Sequence, residues 1–169
     1  MTVESIISQL ERNRNVFETL LTGMKEDQYF WRPAPDTWCL LEIVCHLFDE
    51  EREDFRARVK HTLENPSEEL IPINPEGWVV ERDYVSKHYK ETLKAFLSER
   101  DTSIIWLKSL NNKNWELAVK HSVLGDLSAK LFLNNWLAHD YLHLRQIIRY
   151  QYFYLKENSG TNLQYAGDW

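Results

Sequence analysis

The chain has 169 residues, of which 43% are hydrophobic and 27% are charged, and its net charge is −6. These values are ordinary for one globular domain that is long enough to bury a core. An acidic protein repels phosphate backbones, so nucleic acid is not expected as a partner. The sequence has no signal-peptide pattern and no apolar run near the length of a membrane span. We therefore predict a cytoplasmic protein without a membrane partner.

Two cysteines, Cys39 and Cys45, are the only ones in the chain. They lie six residues apart on one predicted helix, a spacing that disfavours a disulfide between them. Reduced, buried thiols are the expectation, as is usual in the cytosol.

Long helices are favoured because the chain contains only five glycines and five prolines. The first predicted helix runs from Val3 to Leu21 and ends before Gly23. The second begins near Asp36 or Thr37, either of which could cap its first turn. No glutamate or glutamine follows three residues later, so a capping box is not expected there. This helix continues to about residue 63.

Two further helices are predicted at about 83–110 and 127–156. A long connection from about residue 64 to residue 82 separates the second and third helices, and loops of this length are often crossovers or functional segments. A loop containing His121 precedes the fourth helix. Residues 1–156 are thus predicted to form one all-α domain, a four-helix bundle, followed by a C-terminal tail at 157–169.

Three histidines offer the clearest indication of chemistry. His139 and His143 are four residues apart, so a helix places them on one face. His46 lies in the second helix, from which it could complete a three-nitrogen metal site. The face that carries His139 also carries Gln146 and Tyr150, a mixture of polar and aromatic residues that is unusual for a plain core stripe. The alternative is that these histidines are hydrogen-bonded core residues in a metal-free bundle.

Carboxylates lie on the same side of the second helix as His46. They could orient the imidazole, hold a metal-bound water or supply a fourth ligand. Asp49 and Glu50 are the candidates for a catalytic base beside the site. The acidic run from Asp49 to Asp54 is otherwise typical of a solvated helix face, as is the mixed-charge stretch from 52 to 60. The remaining histidines are predicted to be surface or local packing residues: His61, His88 and His121.

Other catalytic patterns are missing. The sequence has no Gly-x-Ser-x-Gly elbow and no glycine-rich phosphate loop. Cys45 and His46 are neighbours on a helix and point about 100° apart, which disfavours a cysteine–histidine nucleophile pair. A di-iron site would need Glu-x-x-His pairs, but the positions three before the histidines hold other residues: Ile43, Trp136 and Asp140.

Three sequence segments together resemble the DinB/YfiT-like superfamily. They are Pro35-Asp-Thr-Trp38, His46-Leu-Phe-Asp49 and His139-Asp-Tyr-Leu-His143-Leu-Arg-Gln-Ile147. The resemblance extends over nearly the whole chain in order and spacing. It implies an up-down-down-up four-helix bundle in which the long connection crosses between parallel helices 2 and 3. The chain departs from the family pattern at Cys39 and in the tail that ends at Trp169, which could cover or extend a pocket.

The resemblance also implies a divalent metal, most often zinc or nickel, held by His46, His139 and His143 with water in the remaining positions. Relatives include bacterial transferases that use bacillithiol or mycothiol, and metal-dependent hydrolases, and many form homodimers. We therefore expect a small-molecule substrate and activation of water or a low-molecular-weight thiol by the metal. The alternative is a non-catalytic, metal-stabilised bundle with a binding or stress-related role. Four aromatic residues are candidates for pocket walls or core: Trp38, Phe132, Trp136 and Tyr150.

Overall fold

The computed structural model describes residues 1–167. Helix α1, Val3–Leu21, begins where the Thr2 hydroxyl accepts a hydrogen bond from the Ser5 N–H at 3.2 Å. It ends before Gly23, whose φ of +80° suits glycine at the end of a helix. The first predicted helix is therefore confirmed. A short helix α2, Glu26–Tyr29, lies in the connection that follows.

The second bundle helix has three parts: α3 at Leu40–Asp49, a π-helical segment at Glu50–Phe55, and α4 at Arg56–Glu64. The prediction that it begins at Asp36 or Thr37 is wrong. Thr37 instead closes a turn by donating its hydroxyl to the Ala34 carbonyl at 2.7 Å. The helix starts after Cys39, whose N–H donates to Glu42 Oε2 at 2.7 Å. The first turn is thus stabilised by the carboxylate of Glu42, the third residue of the helix.

The crossover contains helix α5, Trp78–Glu81, and a 3-10 turn, Tyr84–Ser86, before helix α6, Tyr89–Ser109. The third bundle helix thus starts six residues later than the predicted Asp83. The reason is that Asp83 has a left-handed backbone, with φ of +47°, which a continuous helix cannot contain. Trp78 and Tyr84 are buried, so the crossover is packed against the bundle.

A small antiparallel hairpin replaces the loop predicted before the last helix. Strand β1, Ala118–His121, pairs with β2, Gly125–Ser128, with His121 opposite Gly125. Helix α7, Ala129–Asn158, follows directly, and its first turn is capped by the Ser128 hydroxyl, which accepts from the Leu131 N–H at 3.1 Å. A 3-10 turn at Gln164–Ala166 comes next. Trp169 lies outside the described residues.

Contacts between the four long helices give their directions. In a parallel pair of helices, the residue numbers of successive contacts increase together along both helices. Helices α1 and α7 are parallel, with Asn13 bonded to Asp140 and Leu20 to Gln151. The second bundle helix and α6 are also parallel, with Glu51 bonded to Arg100 and Arg56 to Ser103. In an antiparallel pair, the residue numbers increase along one helix and decrease along the other. This holds for α1 and α6, with Leu10 bonded to Arg100 and Leu21 to Tyr89. It also holds for the second bundle helix and α7, with Trp38 bonded to Tyr150 and Glu51 to Trp136. The bundle is up-down-down-up, as predicted.

The core consists of two apolar clusters. One surrounds α3 and includes Phe17 and Phe96, and the other lies around α4 and includes Trp136. The guanidinium of Arg100 lies between them, 5.6–6.0 Å from the ring centroids of these three aromatic residues. The polar layer around Arg100 therefore separates the two halves of the core. None of the helices within residues 1–167 has the length and apolar character needed to cross a membrane.

Candidate metal centre

Three imidazoles converge at the junction of α3 and α7. His139 Nε2 lies 3.3 Å from His46 Nε2 and 3.1 Å from His143 Nε2. His139 and His143 lie on one face of α7 because they are one helical turn apart, and His46 reaches them from α3. The possible metal-binding atoms of the three histidines all lie within 4.8 Å of one another. Within residues 1–167, no other cluster of three or more histidine, cysteine or acidic side chains has this property.

The spacing of the three nitrogens fits a bound metal ion. Zinc–nitrogen bonds of about 2.0–2.1 Å in a tetrahedral site put neighbouring nitrogens about 3.3 Å apart. The observed distances of 3.1 and 3.3 Å are close to this value. A three-histidine site of this kind leaves coordination positions free for water or substrate.

Hydrogen bonding sets the tautomer of His143. Its Nδ1 lies 2.8 Å from Gln146 Oε1. Because an amide oxygen only accepts, Nδ1 carries the proton and the lone pair of His143 is on Nε2, which faces the other histidines. Gln146 thus performs the orienting role that metal-binding histidines usually require from a neighbour.

The histidines are buried enough to stay neutral. Burial, with a smaller contribution from His143, lowers the pKa of His46 to about 3. Burial and the neighbouring histidines lower the pKa of His139 to about 2, and burial also lowers the pKa of His143. Neutral imidazole is the form that binds metal ions, so the three rings need not lose a net proton to bind one near neutral pH.

On its Nδ1 side, His46 is held by packing and not by a hydrogen bond. Its Nδ1 is buried without a hydrogen-bond partner among the described residues. The ring instead packs against Trp38, with centroids 5.0 Å apart, and Phe55 packs in the same way on His139 at 4.9 Å. Trp38 is therefore a wall of the site, one of the two roles predicted for it.

The acidic run beside His46 is largely buried, so its assignment to a solvated face was wrong. Asp49, Glu50 and Glu51 are all at most 5% exposed. The three arginines that follow, Arg52, Arg56 and Arg58, are half-buried and paired, such as Arg56 with Glu99 at 2.6 Å, whereas Lys60 is exposed as predicted. The acids are buried because they follow Cys45, His46 and Leu47 by one helical turn each and so continue the buried faces of α3.

Asp49 is engaged away from the histidines. Its carboxylate accepts from the Tyr84 hydroxyl at 2.7 Å, and it pairs with Arg82 at 2.7 Å and with Arg52 at 2.9 Å. These partners come from the crossover and from the π-helical segment. Asp49 therefore ties the crossover to the second bundle helix.

Glu50 has an unusual electrostatic environment. It is 4% exposed and none of the described ion pairs involves it. Burial, together with the nearby Asp54 carboxylate, raises the pKa of Glu50 well above its ordinary value. Glu50 is thus able to hold a proton at neutral pH, which is a property of groups that transfer protons.

A buried ion network, missed by sequence reasoning, lies next to the histidines. Arg100 is 1% exposed and binds both oxygens of Asp140 at 2.7 Å. Its Nε donates to Glu51 at 2.9 Å. Asn13 donates to Asp140 at 3.1 Å, and the Trp136 indole donates to Glu51 at 3.0 Å. All four bundle helices thus contribute to one network around Arg100. Trp136 belongs to it and not to a pocket wall.

Two cavities reach the histidines from different sides. The first, here the basic cavity, has a volume of about 940 Å³ and includes His143, Trp31 and Tyr150 in its lining. The second, here the apolar cavity, has a volume of about 570 Å³ and includes His139 and Phe132. Both are also lined by Leu142. The candidate metal centre is therefore accessible from two directions.

The remaining candidates lie elsewhere. His61 bonds to the Glu68 carbonyl, His88 precedes α6 at the surface, and His121 Nδ1 accepts from backbone N–H groups of its own hairpin turn. These positions agree with the predicted local roles. Cys39 and Cys45 are buried and unpaired, as expected, and burial raises the pKa of Cys45 to about 12.

Comparisons with known proteins agree with this fold. The family model of the DinB superfamily matches residues 9–147. A solved structure of YfiT from Bacillus subtilis, described as a probable metal-dependent hydrolase with an unusual four-helix bundle topology, is similar with a TM-score of 0.76 and 16% identity. The similarity covers 88% of this chain and 85% of that chain. No curated protein matches the sequence significantly. Because the family model spans most of its length, the chain belongs to the DinB superfamily.

Proposed function

We propose that the protein is a metal-dependent enzyme that acts on a small molecule, with a divalent ion, zinc or nickel, held by His46, His139 and His143. The observation that supports this proposal most directly is that His139 Nε2 lies 3.3 Å from His46 Nε2 and 3.1 Å from His143 Nε2, with the three ligand atoms within 4.8 Å of one another. Two of these histidines also line cavities large enough for small molecules. The similarity to a probable metal-dependent hydrolase agrees with this function.

When bound, the metal would act as a Lewis acid that lowers the pKa of water or of a low-molecular-weight thiol. The protein's part is to present three neutral imidazoles from two packed helices. Gln146 keeps the His143 lone pair directed at the site. The reaction is then hydrolysis if water is activated and transfer if a thiol is activated. The two cavities favour the second possibility, because one is lined by His143 and the other by His139, which leaves room for both a thiol and an electrophile.

Glu50 is our candidate for the proton-transfer group. It follows His46 by one turn and holds its proton more tightly than an exposed glutamate does, because it is buried beside Asp54. Asp49 is the weaker of the two carboxylates, since its oxygens already accept from Tyr84, Arg82 and Arg52. We assign Asp49 to holding the second helix against the crossover.

The metal site is tested by metal analysis of protein purified without a histidine tag. We expect about one equivalent of zinc or nickel in the native protein and a loss in His46→Ala and His143→Ala. His61→Ala serves as the control, because His61 bonds only to a nearby carbonyl. Equal metal content in all four proteins would refute the three-histidine site.

Activity is tested on the metal-loaded protein with glutathione, bacillithiol or mycothiol and a reactive electrophile, and in parallel with ester and amide substrates. Thiol-dependent turnover that His143→Ala abolishes would support transfer, and turnover without thiol would support hydrolysis. If chelation lowers the melting temperature and neither assay shows turnover, the bundle is metal-stabilised without being catalytic. We also propose a homodimer, as the family resemblance implies, and light scattering on the same sample tests it.

A further inference from the structure

The basic cavity combines an aromatic wall with cationic side chains. Trp31, Tyr150 and Phe153 supply the wall, and His143 lies at one side. Arg145, Arg149 and Lys156 from α7 complete the lining, with Glu157 as the single carboxylate. The lining therefore holds three cations against one anion, in a protein whose net charge is −6.

These three cations are available to a ligand. None of the ion pairs within residues 1–167 includes Arg145, Arg149 or Lys156, whereas most of the other arginines of the chain are paired. The single carboxylate is already engaged, because Glu157 Oε2 accepts a hydrogen bond from the Trp31 indole at 3.2 Å. Glu157 keeps its charge, but with three cations against one carboxylate the lining remains net positive.

Two of the cations are held against an aromatic ring. The guanidinium of Arg149 lies 5.3 Å from the centroid of Phe153, and the Lys156 ammonium lies 6.0 Å from it. Such contacts restrain a long side chain without using its hydrogen-bond donors. The donors of Arg149 therefore remain free to bind a carboxylate or phosphate in two-point fashion.

Arg145 and Arg149 lie in the same cavity lining as His143, and their spacing along α7 gives their offset along the helix axis. Arg145 and Arg149 follow His143 by two and six residues, which at about 1.5 Å per residue places them about 3 and 9 Å further along the helix axis. A ligand anchored on Arg149 can therefore extend along the aromatic wall and bring its other end to His143.

We infer that the basic cavity binds a small organic anion, with its carboxylate or phosphate on Arg149 and Arg145 and its apolar body on Phe153 and Trp31. This inference rests on the proposed function in one respect, namely that the other end of the ligand reacts at the metal centre. The anion site itself does not need the metal. It assigns the substrate, or the thiol cosubstrate, to the class of aryl or alkyl anions.

The probes are 3-phenylpropionate, phenyl phosphate and the neutral 3-phenylpropionamide, titrated calorimetrically into the full-length protein as purified and again after metal removal. The second arm is needed because a carboxylate could also bind directly to the metal. We expect both anions to bind more tightly than the amide in both arms. The tighter anion shows whether carboxylate or phosphate is preferred.

The variant Arg145→Gln/Arg149→Gln should weaken binding of the preferred anion about tenfold, the effect of losing charge-assisted hydrogen bonds worth roughly 1.4 kcal/mol. Amide binding should stay within about twofold. Arg12→Gln is the matched control, because Arg12 is exposed on α1 and has no ion pair among the described residues. Phe153→Ala should weaken all three probes.

Three results would overturn the inference: equal affinity for anion and amide, an anion affinity unchanged in the double variant, or an equal loss in Arg12→Gln. Anion binding that disappears on metal removal and ignores the arginines would show that the probe binds the metal instead. Metal content and turnover, which are measured in separate experiments, show whether the proposed function fails. The anion site can thus fail while the metal site holds, and the reverse.

Discussion

Arg100→Met tests the buried ion network most directly. The substitution keeps a long apolar side chain between Phe17 and Phe96 but removes the charge that pairs with Asp140 and Glu51. In the native protein burial alone would lower the pKa of Arg100, but the two carboxylates outweigh it and raise that pKa. The variant therefore leaves two carboxylates buried without a cation.

The expected loss is large. Removing one partner of a buried ion pair costs about 3–5 kcal/mol, because the remaining charge stays desolvated. Asp140 and Glu51 are 0% and 1% exposed, so neither can regain water without a change in the fold. Since domains of this size unfold with about 5–15 kcal/mol, the variant should lose roughly a fifth or more of its stability.

The assay is urea unfolding followed by tryptophan fluorescence, in the presence of a chelator so that metal binding does not contribute. With a slope of about 2 kcal/mol per molar urea, a loss of about 4 kcal/mol lowers the midpoint by about 2 M. Arg14→Met is the matched control, because Arg14 pairs with Asp101 at the surface. That exposed pair should contribute about 1 kcal/mol or less.

The effect should also depend on pH in a defined direction. Without Arg100, two negative charges stay buried with no cation beside them, and protonation of the carboxylates relieves this cost. The variant therefore regains stability as the pH falls from about 8 toward about 5. A loss of unfolding free energy below about 1 kcal/mol, or a loss equally large at both pH values, would refute the reasoning. Either result would mean that pairing of the buried charges does not contribute to the stability of the fold.

Three further outcomes are expected. Gln146→Leu should weaken metal affinity by about 10- to 100-fold in chelator competition, because His143 loses its orienting acceptor, whereas Gln151→Leu should not. Glu50→Gln should stabilise the protein increasingly as the pH rises above about 4.5. The reason is that the pKa of Glu50 is raised in the folded state, so that ionisation of this carboxyl destabilises the fold. A difference in urea midpoint that does not change with pH would contradict this expectation. Cys45, whose pKa burial raises to about 12, should react with a disulfide reagent at pH 8 only after urea unfolds the protein.

The histidine site was predictable because its signals are local. The i, i+4 spacing of His139 and His143 fixes them on one face of α7, and Gln146, one further turn away, lies on the same face. His46 needed only a helix that packs against α7. Both requirements follow from the helical periodicity of the apolar residues, which is visible in the sequence.

The buried network was not predictable, because its members are far apart in the chain. Arg100 and Glu51 are separated by 49 residues, and each lies in a stretch rich in charge. Charged residues of this kind are normally exposed, so local pattern gave the wrong answer. The pairing becomes apparent only when four helices are assembled in register.

Helix starts and the hairpin were missed for local reasons. The second helix is capped by Glu42 from within its first turn. The predicted start at Asp36 or Thr37 relied on the usual preference for aspartate and threonine at the N-cap. Asp83 adopts a left-handed backbone that nothing in its neighbourhood demands. The pairing of Val119 with Leu127 joins two strands too short to show clear alternation.

The π-helical segment Glu50–Phe55 also bears on how this chain should be compared with relatives. A π-turn holds one residue more than the α-turn that it replaces, and the helix resumes its former phase beyond it. A relative that lacks the extra residue can therefore keep His46 and the buried face of α4 in the same places. Sequence alignments across the superfamily should accordingly allow a one-residue gap inside this helix, where gaps are normally penalised.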